Sequence, residues 1–232
     1  MNIWEPVNTL ILAVTAGVLA WTAIVMRSAT KHADNSTSQA NASASTLAEI
    51  ERQRRHGELY PRLRVVCEPW GPGVEGTLRL RVTLVGPPGL DRLDRLTAAI
   101  RNDHFRRGEG YPERMGGPTA EQVKAHIWGP YHFTPATGPD DARADSTGRT
   151  TVYDTPIPTG EQLVYQLEHT LPGSWMQMSQ PDWTRQQGTL IRLAFTAEHN
   201  EHGTWYLPCE IETASLPATV FLPQWADGNA KG

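Results

Sequence analysis

The chain has 232 residues, with 21 basic and 25 acidic side chains, a net charge of −4 and 39% hydrophobic content. These values exclude a disordered polyelectrolyte and leave no basic footprint for nucleic acid, so no nucleic-acid partner is expected. The length gives room for one sizeable domain with additions, and two cysteines are too few for a disulfide scaffold.

Residues 7–26 read VNTLILAVTAGVLAWTAIVM, a run without a charge. At about 1.5 Å per residue, twenty residues span about 30 Å, the thickness of a hydrocarbon core. Trp4 and Trp21 sit near its two ends, where indole rings favour headgroups. A cleaved signal peptide would need a basic leader and a shorter apolar run, whereas MNIWEP has no Lys or Arg. Residues 1–26 are therefore expected to be an uncleaved single-pass anchor, with the lipid bilayer contacted through 7–26. Arg27 and Lys31 follow the run, and the positive-inside rule then places the globular domain on the cytoplasmic side of the cell membrane, N-out and C-in. Ala13 and Gly17, like Ala16 and Ala20, have the spacing of a weak helix-mediated dimer, which an alanine-rich anchor also produces by chance.

Residues 27–45 are small and polar with no apolar period, and read as a flexible linker. Thr46-Leu-Ala-Glu49 has the form of a capping box opening a short helix over 46–57, with Gly57 as its stop.

From Tyr60 the hydrophobic period becomes two. Leu63, Val65 and Cys67 share one face, and Leu78, Leu80, Val82 and Leu84 share another after a glycine-rich turn. Further strands are expected at 93–102, at 122–129 with Val123, Ala125 and Ile127 inward, around 149–154, and at 162–169, 189–197 and 203–212. Seven or eight strands with almost no helical period predict a mainly β domain over 58–215. The expected architecture is a β-sandwich, immunoglobulin-like in outline, tethered by one N-terminal transmembrane helix, with 216–232 as a tail.

Two segments rich in Gly, Pro and charge interrupt the strands, at 104–119 and 134–148. Segments this long in a compact domain are often functional. The first combines Phe105, Arg106, Arg107, Tyr111 and Arg114, which makes it the candidate interaction loop, although a solvated loop would read the same way.

No nucleophile elbow, metalloprotease helix or phosphate-binding loop is present, so no catalytic residue, metal site or cofactor is assigned and enzymatic activity stays open. His199 and His202 read as hairpin-tip residues, and Asp140, Asp141 and Asp145 lack calcium-loop spacing. Cys67 and Cys209 fall in step with core positions and form a candidate thiol pair. In the cytoplasm they stay reduced, whereas outside it a bridge would close a long loop.

ERQRRHGELYPRLRVVCEPWGPG, read with LRLRVTLVGPPGLDRLDRLTAAIRND and HIWGPYHF, resembles uncharacterised actinobacterial single-pass membrane proteins with a β-rich C-terminal domain. The resemblance covers residues 49–215 and implies a bacterial membrane location, with no catalytic residue carried across.

Three functions compete. A membrane-tethered module binding a protein partner leads, favoured by Trp175, Trp183, Trp205 and Trp225. An envelope-assembly or structural subunit follows, and then a membrane-bound hydrolase without a recognisable motif. The anchor reading predicts an intact N-terminus in the purified protein, readable by mass spectrometry; a mature chain starting beyond residue 26 would refute it.

Overall fold

A computed structural model describes residues 41–70, 76–102, 117–134 and 143–223, together with Trp21, Met26 and Arg27. The expected membrane segment therefore lies almost wholly outside the described residues, as do Phe105, Arg106, Arg107, Tyr111 and Arg114. Among the described residues no helix is long and apolar enough to cross a membrane. The chain divides into two compact units, Met1–Arg54 and Arg55–Gly232.

Helix α1 covers 41–58, so residues 41–45, expected in the linker, are helical. Alanines at 42, 44 and 48 lose no side-chain freedom on entering a helix, which favours extension past Thr46. Thr46 is accordingly no cap: its hydroxyl donates to the Ala42 carbonyl at 2.9 Å. Arg52 pairs with Glu49, and Arg54 with Glu51, on its exposed surface.

The second unit is built on two five-stranded antiparallel sheets. The first uses β1 (Arg62–Pro69), β2 (Thr77–Gly86), β5 (Tyr131–Phe133), β9 (Gln162–His169) and β12 (Ala218–Leu222), in the order β12-β1-β2-β9-β5. The second uses β4 (Arg95–Ile100), β6 (Arg143–Ala144), β7 (Thr150–Tyr153), β10 (Leu190–His199) and β11 (Gly203–Glu212), in the order β11-β10-β4-β7-β6. Short strands β3 (Arg92–Leu93) and β8 (Ile157–Pro158) pair separately.

Alternation decides which face of each strand is buried. Leu63, Val65 and Cys67 on β1 meet Leu78, Leu80 and Val82 on β2 and Leu163, Tyr165 and Leu167 on β9 in one apolar cluster. Leu193 and Phe195 on β10 and Trp205, Leu207 and Cys209 on β11 enter the same cluster from the other sheet. Each fully buried Leu, Val or Phe side chain contributes about 1.5–3 kcal/mol, so this shared layer is the main stabilising element.

Three expectations need correction. Residues 122–129 are not a strand: α2 (Ala120–Ala125) forms there, opened by a capping box in which Thr119 accepts from Gln122 N–H and Gln122 reaches back to Thr119 N–H. A second helix, α3 (Gln180–Gln187), starts at the Ser179 cap where no helix was expected. The supposed tail is structural, because β12 pairs with β1 from Leu63↔Leu222 to Cys67↔Ala218 and buries Leu222.

The last turn of α1 and the residues after it close one end of the second unit. The His56 ring stacks on Trp205 at 4.9 Å, its Nδ1 donates to the His202 carbonyl at 2.6 Å, and the Trp205 indole donates to the His56 carbonyl at 2.9 Å. Next to it, the Tyr60 hydroxyl donates to the Tyr206 carbonyl on edge strand β11 at 2.6 Å.

The pairing of β12 predicts that a chain ending at Ser215 loses more than a flexible tail would. Leu222 alone should contribute about 1.5–3 kcal/mol. Urea denaturation of the truncated and full chains measures this, and equal midpoints would show that β12 is dispensable.

Candidate functional site

The strands give the second unit two distinct ends. β10 runs toward His199, close to the start of β4 and the end of α1; the opposite end holds Asn102, α2 and α3. Among the described residues, the latter end holds a buried aromatic cluster separate from the main core.

At this tryptophan end, Trp128, Trp183 and Val123 form a separate buried cluster with Met176 packed against it. The His126 ring lies among three indoles, with centroids 4.9 Å from Trp128, 5.3 Å from Trp175 and 5.1 Å from Trp183. Two of these indoles are anchored: Trp128 Nε1 donates to the Val123 carbonyl at 3.0 Å and Trp183 Nε1 to Thr170 Oγ1 at 2.9 Å. Thr170 in turn donates to the Gly129 carbonyl. By contrast, His126 Nε2, Trp175 Nε1 and Gln180 Oε1 are buried without a hydrogen-bond partner.

One asparagine ties this end together. Asn102 Nδ2 donates to the His126 carbonyl at 2.9 Å, and Asn102 Oδ1 accepts from Trp128 N–H at 3.0 Å. Arg149 then reaches the carbonyls of Lys124, Ala125 and His126 at 3.1, 3.0 and 2.8 Å, satisfying the free C-terminal acceptors of α2. Asn102 and Trp128 are thus held at a fixed spacing by paired hydrogen bonds.

Beside the cluster the chain runs from Leu171 to Ser179 with neither helix nor strand. Leu171 is 66% exposed and Met178 36%, while Trp175 and Met176 are half-buried. An apolar segment over a fixed aromatic base is suited to partner contact, since tryptophan supplies area at low entropic cost and methionine adapts in shape.

The other end carries an open cleft of about 770 Å³, lined by Val85 to Arg92, Thr159, His199, Glu201 and His202. The two imidazoles stack at 4.4 Å. His199 Nδ1 accepts the Glu201 N–H at 3.2 Å, which fixes the orientation of the ring at the hairpin tip. Asp94 is held below the usual carboxylate range by the Asn200 N–H at 2.7 Å and by Arg92. These groups make a polar surface; among the described residues no three His, Cys, Asp or Glu converge on a metal position.

Cys67 and Cys209 are both free and buried. Burial and the neighbouring Glu68 charge push Cys67 up to about 12; burial, Cys67 and Glu210 do the same for Cys209. At neutral pH both are thiols packed as small apolar groups. Asp145 is committed to its own turn, accepting N–H groups from Thr147, Arg149 and Thr150, while Asp140 and Asp141 lie outside the described residues. The tryptophan cluster was not anticipated, because Trp128, Trp175 and Trp183 are distant in sequence.

No protein-family model matches the chain, and no curated protein does. Among solved structures it is similar to a DUF4466 family protein from Parabacteroides merdae, at 11% identity and a TM-score of 0.28. The match covers 68% of this chain and 44% of that one, so the chain spans less than half of that protein's length. A likeness at that level carries no argument about fold or function.

Two predictions follow from these environments. Under native conditions neither thiol should react with an alkylating agent over the time in which both react after denaturation; mass spectrometry counts the adducts, and rapid native labelling would contradict the burial. His126 is held below its ordinary value of 6.5, first by burial and then by the Arg149 charge. The unfolded chain therefore takes up a proton at a pH where the folded chain does not, and stability falls as pH drops below about 6.5 toward the lower folded value. Denaturation of wild type and His126→Gln across this range isolates the effect, which is absent if the two curves stay parallel.

Proposed function

We propose that the protein is a single-pass membrane protein whose β domain is a protein-interaction module facing the cytoplasm. The anchor rests on the charge-free run at 7–26 and on Arg27 and Lys31 after it. The resemblance to actinobacterial membrane proteins agrees with that location.

The strand order supports a β-sandwich of immunoglobulin-like outline. β1-β2-β9 correspond to the A-B-E neighbours of that fold and β11-β10-β4 to G-F-C. β5 takes the place beside E where D stands and, like D, precedes E in the chain, and β12 is an addition beside A. Sandwiches of this kind serve as rigid mounts for loops at their ends.

The observation that carries the functional reading is the apolar segment with Leu171 and Met178 exposed and Trp175 and Met176 half-buried, beside the Asn102 clamp. Phe105, Arg106, Arg107, Tyr111 and Arg114, which fall in the sequence between Asn102 and Trp128 and outside the described residues, remain candidate interaction residues on the sequence alone. Tethering raises the effective concentration of such a surface for a membrane-associated partner, so modest contact area suffices.

A photocrosslinking amino acid at position 171 or 178, activated in native membranes, is expected to give one dominant adduct. Trp175→Ala should abolish it through loss of an aromatic anchor, a change of about 10-fold or more in affinity for a hot-spot residue. Equal, weak adducts from these positions and from exposed control sites such as Thr204 would refute the assignment.

A further inference from the structure

The outer face of the first sheet differs in charge from the rest of the chain. Reading across β12, β1, β2 and β9, one row is Phe221, Arg64, Thr83 and Gln162, and the next is Thr219, Val66, Arg81 and Val164. A third row holds Glu68, Arg79 and Gln166. Over these three rows three guanidinium groups stand against one carboxylate, Glu68, and the same face also carries Arg62 at the start of β1 and Glu168 opposite Thr77, within a chain whose net charge is −4. Arg79 and Arg81 both turn toward Glu68, whereas Arg64 has no ion-pair partner among the described residues.

Arginine is not the only feature of this face. Arg79 lies over the Trp70 ring at 3.1 Å from its centroid, so the guanidinium is held flat against an aromatic surface. Phe221, directly paired with Arg64 across β12 and β1, is 63% exposed, and Val164 is 40% exposed. The outer face of the second sheet contrasts with it: Arg95 and Arg192 are matched by Glu198 and Glu210, with Glu212 in excess. Among the described residues the positive balance and an exposed phenyl ring occur together on this face.

We propose that this face, centred on Arg64, Arg79, Arg81 and Phe221, docks on the anionic headgroups of a lipid bilayer. Charge complementarity favours it, since an anionic leaflet attracts basic side chains near its surface. The exposed Phe221 supplies an apolar group that can enter the headgroup boundary, which a purely Coulombic contact would not need. The proposal rests on the anchored, cytoplasm-facing reading for its biological setting, because that leaflet carries the anionic lipid. The recognition itself depends only on the face.

The test uses the full chain in vesicles of phosphatidylcholine, with or without phosphatidylserine. Thr219→Cys on the same face carries an environment-sensitive fluorophore, and Cys67 and Cys209 are buried in the core. Brighter, blue-shifted emission is expected with phosphatidylserine but not with phosphatidylcholine alone. High salt and Arg64→Glu with Arg81→Glu should each remove the shift, with thermal unfolding used to check that the variant is folded. Phe221→Ser should reduce the blue shift while leaving fold and net charge intact.

Identical spectra in the two lipids would overturn the proposal. A shift produced by soluble polyglutamate and not by phosphatidylserine would also overturn it, and assign the face to an acidic protein. An alkaline wash of the neutral vesicles reads the anchor separately: release of the chain refutes the tether without altering the lipid-dependent shift.

Discussion

The structure depends on one constraint, that alternate side chains from two sheets must meet in a single apolar layer. Leu80, Val65 and Leu167 come from one sheet, Leu193, Phe195 and Leu207 from the other, and each is fully buried. Because the side-chain period of a strand is two, a slip of one residue would exchange this layer for arginines and glutamates. Register is therefore strongly specified along β1, β2, β9, β10 and β11. The outward arginines of β1 and β2 are a consequence of the same alternation, since the sequence that buries Leu80 and Val82 must expose Arg79 and Arg81.

The core shared by the two sheets is covered on its faces by their backbones but is open at its ends, and the two ends are closed by different chemistry. At one, His56, Tyr60 and Trp205 form a compact plug of stacked rings and hydrogen bonds. At the other, a second small core of indoles surrounds His126, with several polar atoms left unpaired. Unpaired buried polar groups are costly, about 1–3 kcal/mol each. Three such atoms, His126 Nε2, Trp175 Nε1 and Gln180 Oε1, lie at the tryptophan end.

The strands were legible because local pattern and tertiary role coincide. The runs at 162–169 and 203–212 alternate cleanly, and the strands occupy those same ranges. Val123, Ala125 and Ile127 also alternate, but the segment is helical: Thr119 and Gln122 cap it, and only Val123 is buried within the helix. A capping pair three residues apart was the signal available there, and Ser179 followed by Pro181 was the corresponding signal for α3. β12 is a short β-prone run, Ala218–Leu222, enclosed by prolines that made it look like a tail. The indole cluster had no local signature, because it is assembled by long-range packing alone.

The closure at Tyr60 also limits how a partner can approach. An edge strand exposes unpaired amide and carbonyl groups that invite a foreign strand. On β11 the Tyr206 carbonyl is already occupied by Tyr60, and Pro208 has no N–H to offer. On the other sheet the edge strand β12 has five residues, bracketed by Pro217 and Pro223. Edge-to-edge pairing of two copies through β11 or β12 is thus discouraged, and what these two edges offer a neighbour is side chains rather than backbone.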